Sequence, residues 1–309
     1  MQHKTENNIF EINSDTDGQR IDNFLLKTLK DLSKSNIYKL LRKGQIRING
    51  KRSKPTTRLT VGDLVRVPPF VLGENQELFI SENLLKAVRD SIIFSNNNFL
   101  VVNKPSGLAV HSGTGVKVGL IEVCKELFPE TEIQLAHRLD RETSGCVVLA
   151  KNRQALNDFN QQSKDNNITK KYLALVKGVI KNNFEVELPL DVTTRSGGER
   201  TVTVSEDGKY AKTLFRVSEF YQRQIKSTLL ECQLVTGRTH QIRVHAAAME
   251  HPLAGDIRYG DEKFNQKLRK LGLKRLFLHA SSIEFTDNDE KIIVSAELPE
   301  KLHKILSEL

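Results

Sequence analysis

The sequence predicts an α+β protein in two parts. A small N-terminal module has two helices and a short sheet, and a larger domain is built on a mixed, mainly antiparallel sheet with flanking helices. Three observations predict this. After residue 90 the strand patterns come in clusters, not in strict alternation with helices, which argues against a doubly wound sheet. The positive charge is gathered in one stretch near the N-terminus. A chain of 309 residues also has room for two cores. The expected division is a module over 18–80, a linker over 81–90 and a second domain over 91–309.

In the N-terminal module, Ile21, Phe24, Leu25 and Leu29 recur at helical spacing. Ser33 reads as the N-cap of a second helix with Ile37, Leu40 and Leu41 inward, and Gly44 as its C′ stop. Gln45 to Ile48 alternates as a strand and runs into the turn pair Asn49-Gly50. Val61-Gly62-Asp63 makes another turn, Leu64 to Val67 another strand, and Pro68-Pro69 ends it. Residues 71–90 carry no firm pattern.

In the second domain, strands are expected at 91–95, 99–103, 146–151, 172–176, 212–218, 227–235, 276–285 and 292–296. Helices are expected at 119–128, 153–164, 239–249 and 300–309. No internal repeat or low-complexity tract interrupts them.

Charge and composition narrow the function. The net charge is +9, and residues 27–66 hold twelve Lys or Arg against Asp31 and Asp63, which is +10. The rest of the chain sums to −1, so any polyanion is expected on the N-terminal module. Lys34, Lys39, Arg42, Lys43, Lys51 and Arg52 fall off its apolar stripes and are the candidate contacts. No apolar run approaches the ~20 residues that cross a bilayer. No apolar stretch follows MQHKTENN, so no secretory signal and a cytoplasmic location are expected. Cys124, Cys146 and Cys232 lie far apart in apolar surroundings and read as reduced core residues.

Nucleotide and metal motifs are missing. There is no G-x-x-x-x-G-K-[ST], and the glycine-rich His111 to Gly115 lacks the spacing of a dinucleotide fingerprint. His240, His245 and His251 cluster in sequence, but Arg238 and Arg243 stand among them and no acidic ligand does. They read as packed or RNA-contacting residues, and no metal or cofactor is expected.

Four stretches join a strand to polar residues at its end. They are Asn103 to Gly107 (NKPSG), His137 to Gly145 (HRLDRETSG), Lys170 to Gly178 (KKYLALVKG) and Thr236 to His245 (TGRTHQIRVH). Each alone has a structural reading: Asp140 as a turn residue, Tyr172 as a half-buried strand residue, Arg243 as an ion-pair partner. Together HRLD-x-x-TSG, K-x-Y-x-A-x-V-x-G and GRTHQIRVH resemble the signatures of the RluA family of pseudouridine synthases. RIDNFL, L-L-x-x-G-x-x-x-x-N-G and GD-x-V-x-V in the N-terminal module resemble the S4 RNA-binding domain. K-S-x-I-Y-x-L-L-R-K-G and R-V-P-P look most like the family's RluC branch, which acts on large-subunit (23S) ribosomal RNA.

The resemblance implies the pseudouridine synthase fold and a cofactor-free isomerisation. The C1′–N1 bond breaks, the uracil turns and C5 takes its place. It implies Asp140 as the carboxylate at the sugar, Arg243 as its ion-pair arginine, and Tyr172 as the residue that stacks on the base and takes part in removing the C5 proton. Arg138 matches the position that enters the space left by a flipped uridine, and Arg238 and His240 are assigned with it to RNA contact. A monomer that binds rRNA during large-subunit assembly is expected. Competing readings are another RNA site within the same family, a tRNA included, or a non-catalytic RNA-binding assembly factor. An RNA hydrolase using Asp140 lacks the grouped carboxylates that metal-dependent nucleases need.

Overall fold

The computed structural model describes residues 4–5, 8–29, 32, 34–68, 80–112, 118–194 and 200–309. Ser33, residues 69–79, which include Pro69 and much of the patternless stretch 71–90, and Gly113 to Gly115 lie outside the described residues. The chain forms two compact units, Met1–Leu78 and Phe79–Leu309.

The first unit contains β1 (Lys4–Thr5), β2 (Ile9–Glu11), α1 (Ile21–Thr28), α2 (Lys34–Arg42), β3 (Arg47–Ile48), β4 (Lys51–Arg52) and β5 (Leu64–Arg66). Its sheet runs β1-β2-β5-β3-β4. The apolar stripes meet as expected: Ile21, Phe24, Leu25, Ile37 and Leu41 are buried with Ile46, Leu59 and Val65. Asn49 and Gly50 both have positive φ, 48° and 77°, as a two-residue type I′ hairpin turn requires.

The second unit begins with α3 (Glu82–Asp90), β6 (Ile92–Ser95), β7 (Phe99–Lys104), α4 (Leu120–Leu127), β8 (Gln134–Leu135), β9 (Ser144–Ala150) and α5 (Arg153–Lys164). It continues with β10 (Thr169–Lys177), β11 (Phe184–Glu187), β12 (Leu190–Thr194), β13 (Arg200–Val204), β14 (Lys212–Tyr221), β15 (Ser227–Leu234) and α6 (Gln241–Ala248). It ends with α7 (Glu262–Lys270), β16 (Leu278–Asp287), β17 (Glu290–Ser295) and α8 (Glu300–Ser307). The large sheet runs β11-β14-β15-β10-β16-β9-β7-β6, with β17 on β16 and β8 on β9. Its pairings are antiparallel except β9 with β16, so the sheet is mixed and mainly antiparallel. β12 and β13 form a separate hairpin.

Strand β9 is buried along its whole length. Val147 and Leu149 join one core while Cys146, Val148 and Ala150 join another, so both faces are covered. That explains its unbroken apolar run. All three cysteines are buried and free, and burial pushes Cys124 and Cys146 up to about 12, so neither is a thiolate near neutral pH.

The expected linker over 81–90 is a helix instead. Ser81 caps α3 by accepting the Leu84 N–H, and Leu84, Leu85 and Val88 pack into the main core. Its apolar face is only three residues wide, and the flanking charges mask it. The hairpin β12–β13, strands β8 and β11, and helix α7 were likewise absent from the expected elements.

Candidate active site

HRLDRETSG forms the loop between β8 and β9. The Thr143 N–H donates to the Asp140 carbonyl at 3.1 Å, closing a turn, and β9 starts one residue later. Gly145 then has φ 109°, and a Cβ there would lie 2.2 Å from the Ala280 carbonyl oxygen. Only glycine lets β16 run parallel to β9 at this point.

The NKPSG stretch clamps this loop. Lys104 is fully buried, and its Nζ donates to the carbonyls of Pro105, Leu108 and Arg141 at 2.9, 2.8 and 3.1 Å. Burial lowers its ammonium to about 7, helped by Arg275 and opposed by Glu142 and Asp140. Gly107 N–H and the Arg141 carbonyl bond at 2.8 Å, and Ser106 Oγ donates to the Glu142 carbonyl at 2.7 Å.

The cations nearest Asp140 in sequence are not its partners. His137 Nε2 accepts the Val148 N–H at 3.0 Å, so that nitrogen carries a lone pair. Desolvation pushes its pKa down to about 3. Arg141 turns to the Gly107 carbonyl at 2.9 Å, and Arg138 is exposed. Asp140 Oδ2 instead faces Arg243 Nη1 at 3.8 Å and His240 Nε2 at 3.7 Å, both from the TGRTHQIRVH stretch.

That stretch is built around Gln241. Its buried side chain accepts from Thr236 Oγ1 and the Arg238 N–H and donates to the Lys212 carbonyl and Thr213 Oγ1. This fixes the start of α6 and presents Arg243 one turn in. Arg243 is engaged mainly with Asp256: Nε to Oδ2 at 2.7 Å and Nη2 to Oδ1 at 2.8 Å, a fork-to-fork pair. Burial works to raise Asp256 and to lower Arg243. Their mutual hydrogen bonds and charge outweigh it, so Asp256 sits below the usual carboxylate range and Arg243 above its ordinary value.

Tyr172 lies mid-strand in β10. The β10–β16 ladder slips between Lys171 and Leu173, a bulge that leaves Tyr172 without a partner on β16. Its hydroxyl is pushed up above the ordinary phenol value, first by burial and then by the negative charge of Asp140. The phenol is therefore neutral near pH 7.

Asp140, Tyr172, Arg243, Arg138, Arg238 and His240 all line one cavity of about 550 Å³. Arg238 Nε is turned to the Tyr210 carbonyl at 3.0 Å. The other two histidines of the sequence cluster point elsewhere, His245 to Thr213 and the Leu188 carbonyl, His251 to the Lys177 carbonyl. Sequence reading missed Lys170, which also lines the cavity and whose pKa desolvation lowers. It stands two residues before Tyr172, so strand alternation could have placed it on the same face. In the other unit, Lys34, Lys39, Arg42, Lys43, Lys51 and Arg52 are all exposed.

The RNA pseudouridylate synthase pattern matches residues 98–248, and the S4 domain pattern residues 19–65. The "Ribosomal large subunit pseudouridine synthase C" of Escherichia coli (strain K12) is 45% identical over 309 residues, covering 97% of this chain and 96% of its own length. Its namesake from Haemophilus influenzae is 44% identical over 304 residues, covering 96% and 94%. The chain belongs to the RNA pseudouridylate synthase family. Among solved structures, "Human RNA Pseudouridylate Synthase Domain Containing 4" aligns with a TM-score of 0.57 at 28% identity, covering 72% of this chain and 96% of its own. As a pseudouridine synthase the protein is an isomerase with an N-terminal S4 domain. The S4 match falls on the unit that carries the excess positive charge.

Proposed function

We propose that this pseudouridine synthase isomerises specific uridines to pseudouridine in large-subunit (23S) ribosomal RNA, with Asp140 as the nucleophile. The observation that carries the chemistry is the cavity in which Asp140, Tyr172 and Arg243 meet. The substrate follows from the full-length likeness to the large-subunit synthases.

A uridine inside a helix is out of reach, so it is flipped out at a cost of about a few kcal/mol. Exposed Arg138, two residues from Asp140, occupies the vacated space. The Asp140 carboxylate bonds to C1′ as the C1′–N1 bond breaks, and the uracil leaves with the N1 electron pair. After the ring turns, C5 bonds to C1′ and the carboxylate is released. The C5 proton is removed and a proton is gained at N1. Atoms and charge balance within the substrate, so the reaction calls for no cofactor. Tyr172 stacks on the base and takes part in removing the C5 proton, which is exchanged for the proton gained at N1.

Asp140→Asn keeps the shape and removes the nucleophile. Tritium release from C5-labelled uridine in 23S RNA is expected to vanish while RNA affinity holds. Activity within about tenfold of the parent removes Asp140 from the mechanism, because an amide cannot form the covalent bond to C1′. Mapping pseudouridines in 23S RNA from cells lacking the protein tests the substrate, and an unchanged map refutes it.

A further inference from the structure

His240 caps the start of α6 in left-handed backbone, φ 54°. Its ring nitrogens face two different groups. Nδ1 lies 2.9 Å from the Tyr259 hydroxyl, and Nε2 lies 3.7 Å from Asp140 Oδ2. The Tyr259 hydroxyl also accepts the Val202 N–H at 3.0 Å, and its ring lies against the Arg243 guanidinium at 5.0 Å.

This chain of contacts decides where the histidine proton sits. A phenol has one proton to donate. Among the described residues, the hydroxyl's partners are the Val202 N–H, which can only donate, and His240 Nδ1. Among the described residues Nδ1 is the acceptor within reach of the phenol proton, and in that pairing Nδ1 accepts. A neutral imidazole then carries its own proton on Nε2, toward Asp140. Electrostatics at the other end agree: the opposite tautomer would set a lone pair against the carboxylate. Burial lowers the His240 pKa, opposed by Asp140 and Asp256 and reinforced by Arg243 and Arg258, and the net shift is downward, toward a neutral ring near pH 7.

We propose that Tyr259 fixes His240 as the Nε2–H tautomer, making His240 a neutral donor that positions Asp140 for attack. The inference rests on Asp140 being the nucleophile and replaces the RNA contact expected of His240 with a positioning role. The present 3.7 Å gap is longer than a hydrogen bond, and it closes by roughly 0.7 Å to the ~3.0 Å of an N–H···O contact when substrate fills the cavity. A neutral donor suits the chemistry. It orients one carboxylate oxygen without adding a positive charge that would resist losing the anion when the C1′ ester forms. Arg243 is committed to Asp256 along its Nε–Nη2 edge, which holds the guanidinium back and leaves only Nη1 toward Asp140, at 3.8 Å.

Two substitutions separate a donor from a structural residue. His240→Gln carries an amide nitrogen to about the reach of Nε2, while His240→Asn carries one only as far as Nδ1. Asparagine tolerates left-handed backbone better than glutamine. A purely structural His240 thus ranks Asn above Gln, and a donor ranks Gln above Asn. In single turnover at saturating enzyme we expect His240→Gln within about fivefold of the parent. We expect His240→Asn to fall by about tenfold to a hundredfold, the worth of one hydrogen bond to a charged group, with RNA affinity unchanged. Nitrogen-15 NMR of the full chain reads the tautomer directly. The parent is expected to show a pyridine-type Nδ1 and a pyrrole-type Nε2 for His240, and Tyr259→Phe to add the other tautomer. Any of four results overturns the proposal. These are an Nδ1–H or doubly protonated ring in the parent near pH 7, an unchanged spectrum in Tyr259→Phe, Asn equal to or better than Gln, and a loss of affinity in place of rate. The NMR arm uses neither RNA nor turnover, so it stands apart from the Asp140→Asn test of the nucleophile.

Discussion

Asp256→Asn is the substitution whose effect follows most directly from the geometry. Asp256 and Arg243 are joined by two short bonds, and their side chains are 0% and 8% exposed. The Arg258 and Tyr259 N–H groups also donate to Oδ1, so an asparagine places its oxygen there. Its NH₂ then faces Arg243 Nε, donor against donor. Breaking a buried pair by removing one charge costs about 3–5 kcal/mol. Asp140 at 3.8 Å offsets part of that, which leaves roughly 3 kcal/mol. For a unit of this size about 2–4 °C is lost per kcal/mol, so calorimetry should show the catalytic unit melting ~6–12 °C lower. The pH dependence has a definite sign. Asp256 is depressed in the folded state, so its contribution is fully present above the unfolded carboxylate pKa of ~3.9 and is lost as pH falls through the folded value. The gap between parent and variant should therefore be constant near pH 5–8 and shrink in acid below about pH 4. Released from Asp256, the guanidinium turns to Asp140, and the single-turnover rate should drop by about tenfold or more. A melting temperature within roughly 2 °C of the parent refutes the claim that Asp256 is the anion holding Arg243.

Tyr172→Phe keeps the ring and loses the hydroxyl; turnover is expected to fall by about a hundredfold or more with affinity nearly unchanged, and full turnover leaves the ring a packing role only. Gly145→Ala drives a Cβ into the Ala280 backbone at positive φ, so a loss of about 3 kcal/mol or more and a displaced Asp140 loop are expected, read by melting temperature and single-turnover rate; parent-like values would mean that β16 yields freely. Replacing Lys39, Arg42 and Lys43 by Gln in the full chain should lower the salt slope of RNA binding by about 2–3, at 0.7–0.9 per phosphate contact, and leave single turnover at saturating enzyme intact; an unchanged slope makes that face merely solvated.

Strand ends and motifs were legible because each depends on neighbours in sequence. Helix α5 was expected at Arg153–Lys164 and is found there, since Asn152 caps it and Ala155 and Phe159 mark its buried face. Helix α7 escaped because its pattern is diluted: within EKFNQKLRK the buried side chains are Phe264, Asn265 and Leu268, and the charged residues face outward. The strands β12 and β13 pair mainly with each other, so they lack the two-faced burial that makes β9 read as a strand.

Asp256 and Tyr259 were invisible for a different reason. They lie in a loop, HPLAGDIRYG, where no periodicity points to them. Asp256 is held by tertiary contacts: Asn265 of α7 donates to its carbonyl and accepts the Gly255 N–H. Tyr259 matters only because Val202 and His240 arrive at its hydroxyl from separate elements. The same logic governs the charge on Asp140. Sequence proximity surrounds it with His137, Arg138 and Arg141, yet one is held neutral, one is exposed and one bonds a backbone carbonyl. The cation that reaches it comes from α6 and is already shared with a second carboxylate. Two carboxylates share one guanidinium, so Asp140 keeps more of its negative charge than it would in a one-to-one pair. In the nucleophile role proposed for Asp140, that retained charge favours an oxocarbenium-like centre more than a fully neutralised carboxylate would.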